Sequence, residues 1–62
     1  MVVYNLYLVF NNEPIVIYDK HMKMTRFEGS SNDIPDSLMD RFVHYITIVR
    51  WHDSYKQFIV ID

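Results

Sequence analysis

Along residues 2–10 the chain alternates between two sets of side chains. Val2, Tyr4, Leu6, Leu8 and Phe10 form one set, and Val3, Asn5, Tyr7 and Val9 form the other. A two-residue period predicts a strand. Asn11-Asn12-Glu13-Pro14 is turn chemistry, because asparagine tolerates positive φ and proline has no N–H to give a ladder. Residues 15–19 then read as the return strand of a hairpin. Residues 21–27 alternate more weakly, with basic and polar side chains interleaved, and predict a third strand at a sheet edge, where lysine discourages edge-to-edge pairing. Residues 28–32 hold the single glycine and two serines and read as a loop.

Residues 33–53 carry two conflicting signals. Ile46-Thr47-Ile48-Val49 is β-branched throughout and favours a strand. Yet Asp36, Ser37, Asp40, Arg41, His44 and Thr47 recur at helical spacing, with Leu38, Met39, Phe42, Val43, Tyr45, Ile46 and Val49 on the opposite arc. Asp33 with Asp36 resembles a capping box, Pro35 suits a first helical turn, and Arg50 and His52 suit the negative end of the helix dipole. The spacing predicts one helix over residues 34–51, in preference to a short helix followed by a strand, and then a closing strand over residues 56–62. The expected fold is therefore α+β in the order β-β-β-α-β, a single small domain over residues 1–62 with one helix packed on one face of an antiparallel sheet.

Composition narrows the picture. Half the 62 residues are hydrophobic and 16% are aromatic, too many for a disordered chain. A chain this short buries a modest core, so a lone monomer is expected to be only marginally stable. Cysteine is absent, which removes disulfides and thiolate zinc sites and fits a reducing cytoplasm. No apolar run approaches a membrane span, and the N-terminus has neither a basic region nor a cleavage pattern, so neither a membrane protein nor a signal peptide is expected. One glycine cannot write a Walker loop or a dinucleotide fingerprint.

Candidate chemistry is sparse. Asp36, Asp40 and His44 would form one stripe on the expected helix, but a convex solvated face supplies no enclosed metal site. His21, His44 and His52 match no common ligand spacing, and His52-Asp53-Ser54 are too close in sequence for a catalytic triad. No catalytic residue, cofactor or metal is therefore expected, and an enzyme is disfavoured. Lys20, His21, Lys23 and Arg26 form the only basic cluster, the basis of an alternative reading as a nucleic-acid-binding strand. A net charge of −2 argues against it.

What remains is apolar surplus. The strands expected at residues 2–10, 15–19 and 56–62 are apolar on both sides, while one helix covers one face. The expectation is a small non-enzymatic module that binds another protein, in the manner of a compact inhibitor of phage or mobile-element type, and that forms a homodimer. Val3, Tyr7, Val9, Tyr18, Ile48 and Trp51 are its expected interface.

Overall fold

A helix, not a strand, opens the chain. The computed structural model describes residues 1–62. Its elements are α1 (Val3–Val9), β1 (Pro14–Asp19), β2 (Met24–Ser30), two single 3-10 turns (Ser31–Asp33 and Asp36–Leu38), β3 (Val43–Trp51) and β4 (Ser54–Ile61). The class is α+β, as expected, but the helix stands first and the order is α-β-β-β-β.

Two elements correct the sequence reading. Residues 2–10 are apolar on both of the sets named above, so an apparent alternation there could not separate a period of two from one of 3.6. The helix buries Val3 and Leu6, three residues apart, and leaves Tyr4, Asn5, Tyr7, Leu8 and Val9 exposed. The Asn5 side chain accepts from the Val2 N–H at 2.9 Å, and Phe10 N–H donates to the Leu6 carbonyl to close the last turn.

The second correction is at residues 34–51, which hold a 3-10 turn and the nine-residue strand β3 instead of a helix. Register explains the misleading spacing. Val43 pairs with Ile61 and Tyr45 with Val60, so a bulge at His44 shifts the phase of the strand. Val43, Ile46, Val49 and Trp51 are the half-buried positions, and the bulge accounts for the three-residue step from Val43 to Ile46. β-Branched propensity decided the conformation, and the bulge imitated a helix.

The sheet runs β2-β1-β4-β3. β1 pairs with β2 antiparallel and β3 with β4 antiparallel, but β1 and β4 at the centre run parallel. The sheet is thus mixed, not antiparallel throughout, and residues 15–19 make no hairpin with residues 2–10. β1 and β4 are apolar on both faces because both are interior strands. The expected edge strand is borne out as β2, and the closing strand as β4. The expected loop at residues 28–32 is shorter than read, since Glu28, Gly29 and Ser30 end β2.

One face of the sheet carries Ile15, Ile17, Ile59 and Ile61, which pack with Val3 and Leu6 from α1 and with Ile34 and Leu38 from the connecting segment. Phe10, Phe27, Met39, Val43 and Ile46 surround this cluster. Three main-chain hydrogen bonds dock the start of the helix beside β3: Val3 N–H to Arg41, Tyr4 N–H to Met39 and Val43 N–H to Met1. Val2 and Phe42 form an antiparallel bridge there.

Candidate interaction surfaces

Four groups of residues stand out once the fold is built. The first is the outer side of α1. A two-turn helix has little stability of its own, and Val3 and Leu6 anchor this one. The anchoring turns Tyr4, Tyr7, Leu8 and Val9 outward, with Leu8 60% and Val9 72% exposed. Tyr4 and Tyr7 stack at 6.1 Å between ring centroids. The helix contains no charged residue, and Asn5 is its one polar side chain.

The second is the sheet face opposite the core. Val16 and Val60 lie there and are buried although no helix covers them. Aromatic rings from neighbouring strands close over the face: Tyr18 stacks on Phe58 at 5.8 Å, and Phe58 lies 6.1 Å from Trp51. Lys56 bridges to Glu28 at 3.2 Å across the sheet, holding the Glu28 carboxyl below its usual range. The Trp51 indole N–H faces Glu28 closely enough to favour its charged form but makes no hydrogen bond of good geometry and stays buried without a partner. This face covers itself with its own rings, and only Tyr45 among its aromatics is strongly exposed.

The third is a buried anion at the end of β1. Asp19 Oδ1 accepts from the main-chain N–H groups of His21 and Met22, and Oδ2 accepts from Arg26 and Arg41 at 3.0 and 3.1 Å. The Met22 N–H and the two guanidinium groups hold the Asp19 carboxyl below its ordinary value, against the opposing effect of burial. Arg41 also donates to the main-chain carbonyl of Asp62. The arrangement fixes the β1–β2 turn and ties Arg41 to β1. Sequence reasoning missed it, although an aspartate directly after an apolar strand and before a turn is the signal for such a contact.

The fourth is the basic cluster. Lys20, His21 and Lys23 lie in the β1–β2 turn, and Lys20 Nζ comes within 3.4 Å of His44 Nε2. Arg26 is the bulge residue of β2, held by Asp19 as described. Three of the four thus lie in a turn and one in a strand, and they do not share one strand face. Asp36 and Asp40 lie in and after a 3-10 turn and His44 in β3, so the helical stripe does not exist. No three metal-ligating side chains gather anywhere, and no pocket opens in the surface.

The expected interface residues separate accordingly. Val3 is fully buried in the core and belongs to no surface. Tyr7 and Val9 lie on the outer side of α1, Tyr18 and Trp51 are half-buried in the aromatic sheet face, and Ile48 is 63% exposed on β3. Leu8 and Tyr4 were missed, because a strand reading gave them to the same set as the buried Leu6. No helix is long and apolar enough to cross a membrane. No protein-family model, curated protein or solved structure matches the chain.

Proposed function

We propose that this chain is a non-enzymatic module that binds another protein through the outer side of α1. The observation that carries the reading is a helix whose exposed side is uncharged and, Asn5 apart, apolar, made of Tyr4, Tyr7, Leu8 and Val9. Residues spaced three and four apart on such a helix are the anchors that insert into an apolar groove of a partner. Tyrosine suits the role, since a large ring with a polar tip tolerates water before binding and fills a pocket after it. A role as a compact inhibitor that occupies a larger protein's groove fits the size and the surface. The lack of cysteine fits a reducing compartment, and the reading places the chain in the cytoplasm.

Nucleic-acid binding through Lys20, His21, Lys23 and Arg26 is the weaker alternative, because Asp19 already neutralises Arg26. Pull-down from host lysate with the intact chain and with Tyr7→Asp tests the proposal. Tyr7 is 37% exposed and no member of the core cluster, so an unchanged circular-dichroism spectrum is the required control that the substitution leaves the fold in place. Loss of one captured protein with Tyr7→Asp, but not with Ser37→Asp, is the expected result. A partner held equally by both variants, or nuclease-sensitive capture lost with Lys23→Glu, would overturn it.

A further inference from the structure

The two edges of the sheet are built differently, and the geometry points to β3 as a self-pairing edge that joins two copies of the chain into one continuous sheet. β2 is a protected edge. It is bulged at Arg26, exposes Glu28, and follows Lys23 in the turn. A bulge and charges of this kind stop a strand from templating another. β3 carries its own bulge at His44, near its start, and is regular beyond it. Its regular stretch, residues 45–51, reads Tyr-Ile-Thr-Ile-Val-Arg-Trp, with one charged side chain among β-branched and aromatic residues. Long, apolar edges of this sort are where a further strand adds.

Main-chain geometry defines what the edge offers. The two-residue turn between Trp51 and Ser54 makes these residues a hydrogen-bonded pair. By alternation Tyr45, Thr47 and Val49 bond inward to β4, so Ile46, Ile48 and Arg50 direct their N–H and C=O groups outward. Residues Met1 and Val2 cover the edge only as far as Val43, whose N–H donates to Met1. Beyond that point nothing in the chain pairs with the strand.

A second copy is the occupant the sequence fits. Place a two-fold axis at Ile48, the most exposed apolar residue of β3. Ile48 then faces Ile48, Ile46 faces Arg50, Thr47 faces Val49, and Tyr45 faces Trp51 of the other copy. All three outward residues are used, forming about six main-chain hydrogen bonds. Arg50 meets an isoleucine and never its own counterpart. The Tyr45–Trp51 pairs extend the aromatic sheet face across the seam, and cross-strand pairs of these types are the favourable ones. The inference does not rest on the α1 reading, since it uses a different surface.

The test uses the absence of cysteine. Residues facing each other in a hydrogen-bonded antiparallel pair have Cα atoms about 5.5 Å apart, within disulfide reach. Ile48→Cys should therefore oxidise to a covalent dimer in a glutathione buffer, at least tenfold faster than Thr25→Cys on the other edge. Sedimentation of the unmodified chain should show a dimer at about 100 µM that dissociates on dilution. Ile48→Lys should weaken it at least tenfold while keeping the native amide spectrum, and Tyr7→Asp should leave it intact. A chain monomeric at that concentration would overturn the inference. So would a dimer that Ile48→Lys leaves unchanged, or one that Tyr7→Asp alone dissociates.

Discussion

Leu6 and Leu8 give a sharp test of why this chain begins with a helix. In a strand they would share one face and respond alike to truncation. In α1 they lie about 200° apart, one against the core and the other in solvent. Leu6 is 5% exposed and packs in the isoleucine cluster, whereas Leu8 is 60% exposed. Leu6→Ala should lose the transfer energy of the removed atoms and leave a void, a cost of about 3 kcal/mol. Leu8→Ala should change stability by less than about 0.5 kcal/mol, as exposed substitutions do. A domain this size unfolds with an entropy near 0.13 kcal/mol/K, so the Leu6 cost is about 20 °C in Tm. With a urea m-value of about 1 kcal/mol/M, the midpoint should fall by about 3 M. A domain whose whole stability is roughly 3–9 kcal/mol would then keep about 0–6 kcal/mol, so at the lower end it would be about half unfolded at room temperature. Urea titrations of the two variants, read by tryptophan fluorescence, supply the comparison. Equal losses would refute the helix and restore a strand at residues 2–10.

Two further outcomes follow from the buried aspartate and the β3–β4 turn. The Asp19 carboxyl is held below its ordinary value of 3.8, so its contribution is fully present above that pH and is lost as pH falls through the lower folded value. Asp19→Asn should be less stable than wild type at neutral pH, with the gap closing in acid; parallel urea midpoints from pH 7 to about 2 would show that the ion pairs carry none of the pH dependence. His52 sits at φ 58 in the turn between β3 and β4, a conformation that costs a residue with a Cβ about 1–2 kcal/mol. After glycine's own entropy cost, His52→Gly should raise stability by about 0.5 kcal/mol, and His52→Val should lower it. Thermal melts in the reverse order would argue against the turn as described.

How legible this fold was depends on where each segment lies. β1 and β4 could be read because interior strands need apolar side chains on both faces, and Ile15, Val16, Ile17 and Ile59, Val60, Ile61 supply them. β2 could be read as an edge from its interleaved charges. Asn12, at φ 55, fulfils the turn expected of the asparagine pair. Residues 2–10 were not legible, since eight of the nine are apolar and the core claims only some of them. Residues 43–51 misled for a different reason. An edge strand bulged at His44 is partly solvated on both faces, so its polar residues need not alternate. The parallel pairing of β1 with β4 has no local signature, because it joins segments separated by the whole middle of the chain. Surplus apolar area was legible, but its location was not. The expected interface residues fell on three surfaces, and Val3 fell in the core.

The elements that carry these two surfaces are joined at the Val2–Phe42 bridge, where α1 begins beside the start of β3. That adjacency gives the proposals a joint consequence. Pairing across β3 would place two α1 helices on one rigid sheet, related by a two-fold axis. A partner offering two grooves at matching separation would then be bound by both, at an effective concentration set by the sheet and by no flexible linker. Each helix alone presents a small contact, well below the area of a stable protein interface. Bivalence compensates for that smallness. Ile48→Lys should therefore weaken binding to a symmetric partner far more than to a monomeric one, although Ile48 itself would touch neither. Titration of one partner in monomeric and dimeric forms against this variant would measure the difference. Equal loss on both would place Ile48 within the binding surface and dissolve the division of labour between edge and helix.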